Sequence, residues 1–210
     1  LGVLALNKIK YFNKKKIFKI LNISSPKKYI LISIHPEILE KNNKSMINNM
    51  LSVLNEFEEY YQIFTRPNSD KHSRIIHSAI EKYVRTNSSR SLLISSAGRE
   101  LYLSLVKNSQ FLIGNSSSCL IEAPCLSTPS IIVGDRQKGR PIEKSVIKSS
   151  RTIKSIRESI ENILTKNVKS SSNRYYRPTK DLSGILDIFY RCDVQKLMTK
   201  DFNDLKRNNI

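Results

Sequence analysis

Two short runs hold most of the residues whose types and spacing suit chemistry. The first reads GNSSSCLIEAP, Gly114 to Pro124: Gly114 and Asn115 close an apolar stretch, Ser116, Ser117 and Ser118 lead directly into a helix, and all five are candidate substrate contacts. A helix amino end has unpaired N–H groups and a positive partial charge, so it suits phosphate oxygens, and serine hydroxyls add donors. Glu122, farther along, is placed to accept from both hydroxyls of a ribose. The plainer alternative is a Ser116 that only caps a helix and a Glu122 left in water. The second run, GDRQKGR, carries Asp135, Arg136, Gln137, Lys138 and Arg140 between and beside two glycines. Three cations so close together are costly to bury unpaired, and an anionic ligand would neutralise them. An ordinary charged surface loop is the competing reading.

These runs need a scaffold, and the hydrophobic pattern supplies one. Apolar, β-prone segments at 28–35, 61–65, 91–94, 111–114 and 130–133 read as strands. Between them, apolar residues recur at helical spacing: Met46 through Tyr61, Ile75 to Val84, and about Arg99 to Lys107. Later helices are expected around Ile153 to Ile163 and Leu182 to Phe189. Strands that alternate with helices across short connections predict an α/β, Rossmann-like parallel sheet with helices on both faces. Ligands of such sheets sit beyond the carboxyl ends of the strands. Those ends fall at His35, at Pro67 to Asp70 (with Asn68 and Asp70), at Ser95 to Arg99, at Gly114 to Ser118 and at Gly134 to Arg140. Each unusual polar cluster of the chain lies at one of them. Four of the six glycines do as well.

Composition bounds what the site serves. With 210 residues and 39% hydrophobic content, the chain reads as a soluble globular protein with a real core. No apolar run reaches membrane-spanning length, and the lysine-rich start is not a signal peptide. The three cysteines make neither a disulfide framework nor a metal site, which fits small apolar fillers in a reducing cytoplasm. No cofactor or metal is expected. The net charge of +18 is spread along the chain with no aromatic-interleaved RNA motif. It disfavours a nucleic-acid partner and reads as tolerance of an anionic ligand.

The run FLIGNSSSCLIEAPCLSTPSIIVGDRQKGR, Phe111 to Arg140, closely resembles the signature of bacterial hydrolysing UDP-N-acetylglucosamine 2-epimerases. ISIHPE, PNSD at 67–70, SSAGRELYLSL at 95–105 and GVLALNKIK at the start resemble successive motifs of that family in order. The resemblance covers about Gly2 to Ile147. It implies the second half of a GT-B-like enzyme with two Rossmann-like domains. Residues 1–27 would be the crossover from an upstream domain, 28–168 the UDP-binding domain, and 169–210 a connection and terminal helix. By this resemblance Ser116 and Ser117 hold the diphosphate, Glu122 the ribose and Arg140 the phosphate side. Tyr102 approaches uracil, and His35 faces the cleft as a candidate for proton transfer. The reaction implied is conversion of UDP-N-acetylglucosamine, or a related UDP-sugar, to UDP and a free 2-epimer, as in sialic acid synthesis. Partners implied are the UDP-sugar and the upstream domain, with a homo-oligomer left open. A GT-B glycosyltransferase half and a non-catalytic UDP- or nucleic-acid-binding domain are the alternatives. Two departures stand out: Cys119 replaces a usual glycine, which would crowd the helix start, and NRYYRP at 173–178 replaces a glycine-rich turn.

Overall fold

The computed structural model describes residues 3–24, 28–37, 42–165, 175–176 and 183–193. Six strands form one parallel sheet: β1 (Tyr29–Ser33), β2 (Tyr61–Thr65), β3 (Ser91–Ile94), β4 (Leu112–Gly114), β5 (Ser130–Val133) and β6 (Val146–Ser149). Their spatial order is β3-β2-β1-β4-β5-β6. The helices are α1 (Lys14–Ile20), α2 (Asn43–Leu54), α3 (Ser73–Thr86), α4 (Gly98–Asn108), α5 (Glu122–Cys125), α6 (Ile153–Thr165) and α7 (Ser183–Arg191).

Because strand side chains alternate between faces, the fully buried run YILIS of β1 feeds two cores at once. Ile30 and Ile32 join Ile113, Ile131 and Val133 under α2, α3 and α6. Tyr29 and Leu31 join Ile63, Leu112 and Ile132 under α1, α4 and α5. A strand covered on both faces has no polar side to show, which explains why the central strands read as unbroken apolar runs. The expected Rossmann-like layering is therefore the observed one.

The structure departs from the sequence pattern at several elements. Helix α2 stops at Leu54, although apolar spacing continues through Phe57; Tyr61 opens β2, the strand expected at 61–65, in register with Tyr29. Strand β6 is unforeseen, because VIKS is short and, at the sheet edge, buried only at its two ends. Within residues 1–27, α1 is a folded helix whose Ile17 and Phe18 enter the core and whose Asn13 side chain caps Lys16 N at 2.9 Å. The connection at 166–174 and Leu182 lie outside the described residues. Helix α7 leaves Leu186, Ile188, Phe189 and Tyr190 exposed.

The order places a topological switch point between β1 and β4. The chain leaves β1 toward α2 on one face and leaves β4 toward α5 on the other. The two connections diverge, and a crevice opens beyond the strand ends. His35 and Gly114–Ser118 stand at its lips.

Candidate functional site

Gly114 brings the crevice walls into contact. It has φ +152°, and a Cβ there would be driven into the backbone carbonyl of Ser33 on the neighbouring strand. Only glycine lets β4 end this close to β1. The next residue, Asn115, is 1% exposed. Its Oδ1 accepts from His35 N at 2.8 Å, and its Nδ2 donates to His35 O at 2.8 Å.

The serine turn is not the continuous helix expected. Ser117–Cys119 form one 3-10 turn, Leu120 and Ile121 continue as a turn, and α5 begins at Glu122 for only four residues. The helix-dipole contribution here is correspondingly small. Ser116 does cap the turn, accepting from Ser118 N at 3.3 Å. Ser116 and Ser118 are buried, and Ser117 is the most exposed of the three. Cys119 does not crowd the ligand side. Its side chain is wholly buried in the lower core with Leu120 and Ala123, where burial, and then the charge of Glu122, push the thiol far above its usual pKa.

Tyr102, one turn into α4, faces the hydroxyls of Ser118 and Ser33 and lies near Glu122. Burial raises its phenol to about 12, so it stays protonated and able to donate. Glu122 Oε2 is buried and has no hydrogen-bond partner among the described residues. A carboxylate oxygen left in that state costs about 1–3 kcal/mol or more, which a ligand hydroxyl would recover. Tyr102, the serines and Glu122 thus gather on one side of the crevice.

The Gly134–Arg140 turn forms the other side. Gly134 has φ +77°, and a Cβ there would lie 2.8 Å from Arg151 Nε and 3.0 Å from Glu37 Oε1. Arg136 Nη1 and Gln137 Nε2 donate to Asn115 O at 3.3 and 3.1 Å. Gln137 is buried, and its Oε1 has no hydrogen-bond partner among the described residues. Asp135 is exposed and stands 3.9 Å from Arg151. Lys138 and Arg140 border a cavity of about 500 Å³ with Lys148 and Arg151, over a floor that includes Leu120, Ile132 and Ile142. None of Ser116–Ser118, Glu122, Tyr102 or His35 lines this cavity. The predicted site residues are therefore not gathered around one cavity: the basic turn borders it, and the serine turn, Glu122, Tyr102 and His35 do not.

His35, at the end of β1, is half-buried. Its Nδ1 accepts from Asn68 N at 3.2 Å, and burial, then Arg136, lower its pKa against the opposing pull of Asp70. Asn68 Nδ2 donates to Asp70 Oδ2 at 2.5 Å. Of the other histidines, His72 is exposed and His77 is half-buried, 3.5 Å from Glu81.

Sequence reasoning missed the scaffold of charged residues behind the site. Buried Glu37 pairs with Arg151 at 2.7 Å, joining the β1 end to the start of α6. Buried Glu143 accepts from Tyr175 N at 2.7 Å and Tyr176 N at 3.3 Å, clipping that segment to the end of the basic turn. No spacing rule links positions 37 and 151. Only tertiary contact reveals them. The rest of the 173–178 stretch lies outside the described residues.

The sequence profile of the UDP-N-acetylglucosamine 2-epimerase family matches residues 2–188. The chain belongs to that family. This UDP-N-acetylglucosamine 2-epimerase family member is 35% identical over 175 residues to a Campylobacter jejuni protein named GDP/UDP-N,N'-diacetylbacillosamine 2-epimerase (hydrolyzing). That match covers 81% of this chain and 45% of the relative. The polysialic acid biosynthesis protein P7 of Escherichia coli is 33% identical over 189 residues, covering 85% of this chain and 46% of that protein. The chain thus spans about half the length of these relatives. In structure it resembles the Neisseria meningitidis UDP-GlcNAc 2-epimerase bound to UDP-GlcNAc, with a TM-score of 0.65 at 16% identity. That likeness covers 89% of this chain and 49% of the other, and it speaks for the fold. Among the described residues no helix is long and apolar enough to cross a membrane.

Proposed function

We propose that this chain is the UDP-binding half of a hydrolysing UDP-sugar 2-epimerase acting in the cytoplasm. The observation that carries the reading is the unpartnered, buried Glu122 Oε2 beside a protonated Tyr102 and the serine turn, at the switch point of the sheet. In this reading uracil lies by Tyr102, and the ribose diol donates to Glu122. The diphosphate takes hydroxyl and backbone donors around Ser117 and the charge of Arg136, Lys138 and Arg140. The sugar extends toward His35 and the basic turn, where Gln137 Oε1 offers an acceptor to a hydroxyl or acetamido N–H. UDP-N-acetylglucosamine and its diacetamido analogues are the substrates this supports, given the names its relatives carry.

The reaction divides in two. A base takes the proton from C2, and the C1–O bond breaks with its electron pair going to the departing UDP, leaving a C1–C2 double bond. Water then adds across it and yields the free 2-epimer. This half stabilises the charge that develops on the leaving diphosphate. Among the described strand-end residues Glu37 is paired with Arg151, Asp70 accepts from Asn68, Glu122 is assigned to the ribose, and exposed Asp135 stands beside Arg151, so they offer no pair of carboxylates to the sugar. The base for C2 then comes from the half of the relatives' length that this chain does not span. Calorimetric titration of the chain tests the nucleotide reading. UDP is expected to bind at least about tenfold more tightly than uridine; equal binding, or none, refutes the diphosphate role.

A further inference from the structure

Asn115 carries a role that a substrate-contact reading does not give it. A side-chain amide has one acceptor oxygen and two N–H donors. Here the oxygen takes His35 N, one donor holds His35 O, and Nδ2 also lies 3.5 Å from Glu37 Oε1, whose carboxylate is fixed by Arg151. The side chain is buried, and each of the hydrogen bonds it makes goes to the β1 end. Meanwhile its main-chain oxygen receives Arg136 and Gln137 from the β5 end. One residue on β4's exit therefore binds the exits of both neighbouring strands.

Gripping both backbone groups of His35 fixes the direction of its Cα–Cβ bond, and the ring is then held by a second contact. The donor to Nδ1 is a backbone N–H, that of Asn68, at 3.2 Å. A backbone N–H cannot reverse its role, so Nδ1 must present a lone pair, and the proton of the neutral ring resides on Nε2. Among the described residues Nε2 has no hydrogen-bond partner. Two charged groups act on the ring from neighbouring elements, Arg136 against protonation and Asp70 for it.

We propose that Asn115 is a positioning residue that holds His35 as a single tautomer, with Nε2–H the donor offered to ligand, in register with the Arg136–Gln137 side of the turn. The proposal deepens the nucleotide-sugar reading and rests on it only for the identity of what Nε2–H meets. His35 then acts as a neutral hydrogen-bond donor to developing negative charge, with Nδ1 closed to proton transfer.

The test is ¹⁵N-histidine NMR of the whole chain near neutral pH, with His35 assigned by loss of its signals in His35→Gln. The wild-type ring is expected to show an acceptor-type Nδ1 and a protonated Nε2. Averaged nitrogen signals, or a protonated Nδ1, overturn the proposal whether or not any Asn115 variant folds. In Asn115→Ala the two signals should move toward the average, with exchange of the Asn68 amide faster by about tenfold or more. An unchanged single-tautomer pattern in that variant also overturns it. UDP titration of the wild-type sample keeps the two readings apart: a single tautomer without UDP binding supports this proposal and refutes the nucleotide reading alone.

Discussion

Replacing Glu122 by Gln separates a ligand-binding carboxylate from a structural one. The wild-type oxygen Oε2 is buried without a partner, and its charge also bears on Tyr102, Cys119 and Cys125. Neutralising it leaves no ionised oxygen in a buried position that has no hydrogen-bond partner among the described residues. Stability of the free chain should therefore hold or rise by up to about 1 kcal/mol, roughly 2–4 °C for a domain of this size. Binding should move the other way. Hydrogen bonds to a charged group contribute about 1.5–3 kcal/mol, so UDP affinity should fall roughly ten- to a hundredfold. With 2′-deoxy-UDP the same substitution should matter much less, because one of the paired hydroxyls is gone. A third readout is local. Burial, then Glu122 and Glu143, push the Cys125 thiol up to about 11, so Glu122→Gln should speed its alkylation at fixed pH. Thermal melts, calorimetry with both nucleotides and a thiol-labelling time course are needed. A lower melting temperature with unchanged UDP affinity would refute the ribose assignment.

Further outcomes follow from the same geometry. Gly114→Ala forces a Cβ into the Ser33 carbonyl and should cost more than about 3 kcal/mol, seen as a melting temperature lower by about 6 °C or more; a loss under about 2 °C would show that the strand ends can part. The fold lowers the pKa of His35 below its ordinary 6.5, so the folded chain binds fewer protons than the unfolded one in that window. Its contribution to stability is present above about 6.5 and is lost as pH falls through the folded value. The stability difference between wild type and His35→Gln should therefore change across that window, and parallel pH profiles would contradict the assignment. The purified chain should release no N-acetylmannosamine from UDP-N-acetylglucosamine, because its described strand-end residues offer no pair of carboxylates to the sugar; measurable product would place the base within this half.

The sheet was legible because central parallel strands must be apolar on both faces, and β1, β4 and β5 show that plainly. What escaped was whatever carried a weak pattern. Strand β6 meets only one neighbour and buries only the two ends of VIKS, and α1 buries only Ile17 and Phe18 among lysines. The helical spacing at Phe57 misled for the opposite reason, since it carries the pattern past Leu54 toward the strand expected at 61–65. The chain must turn there so that Tyr61 can pair with Tyr29, and no local window contains Tyr29.

At the site, the residues that touch a ligand are local in sequence and the residues that hold them in place are not. Glycine at a strand end, serines at a turn and a dense basic loop announce themselves, because each residue type suits its task without reference to the rest of the chain. Asn115 sits in the middle of the most legible motif, yet its side chain serves His35, eighty positions away, and its carbonyl serves the following strand end. Glu37 and Arg151 are separated by 114 positions and meet only because β1 and β6 run parallel and end on the same side of the sheet. Both arrangements depend on the switch point. Diverging connections leave the ends of neighbouring strands without covering backbone, so buried polar side chains must pair across the gap. The same gap admits the ligand. The crevice and the hydrogen-bonded frame around it are thus two consequences of one strand order.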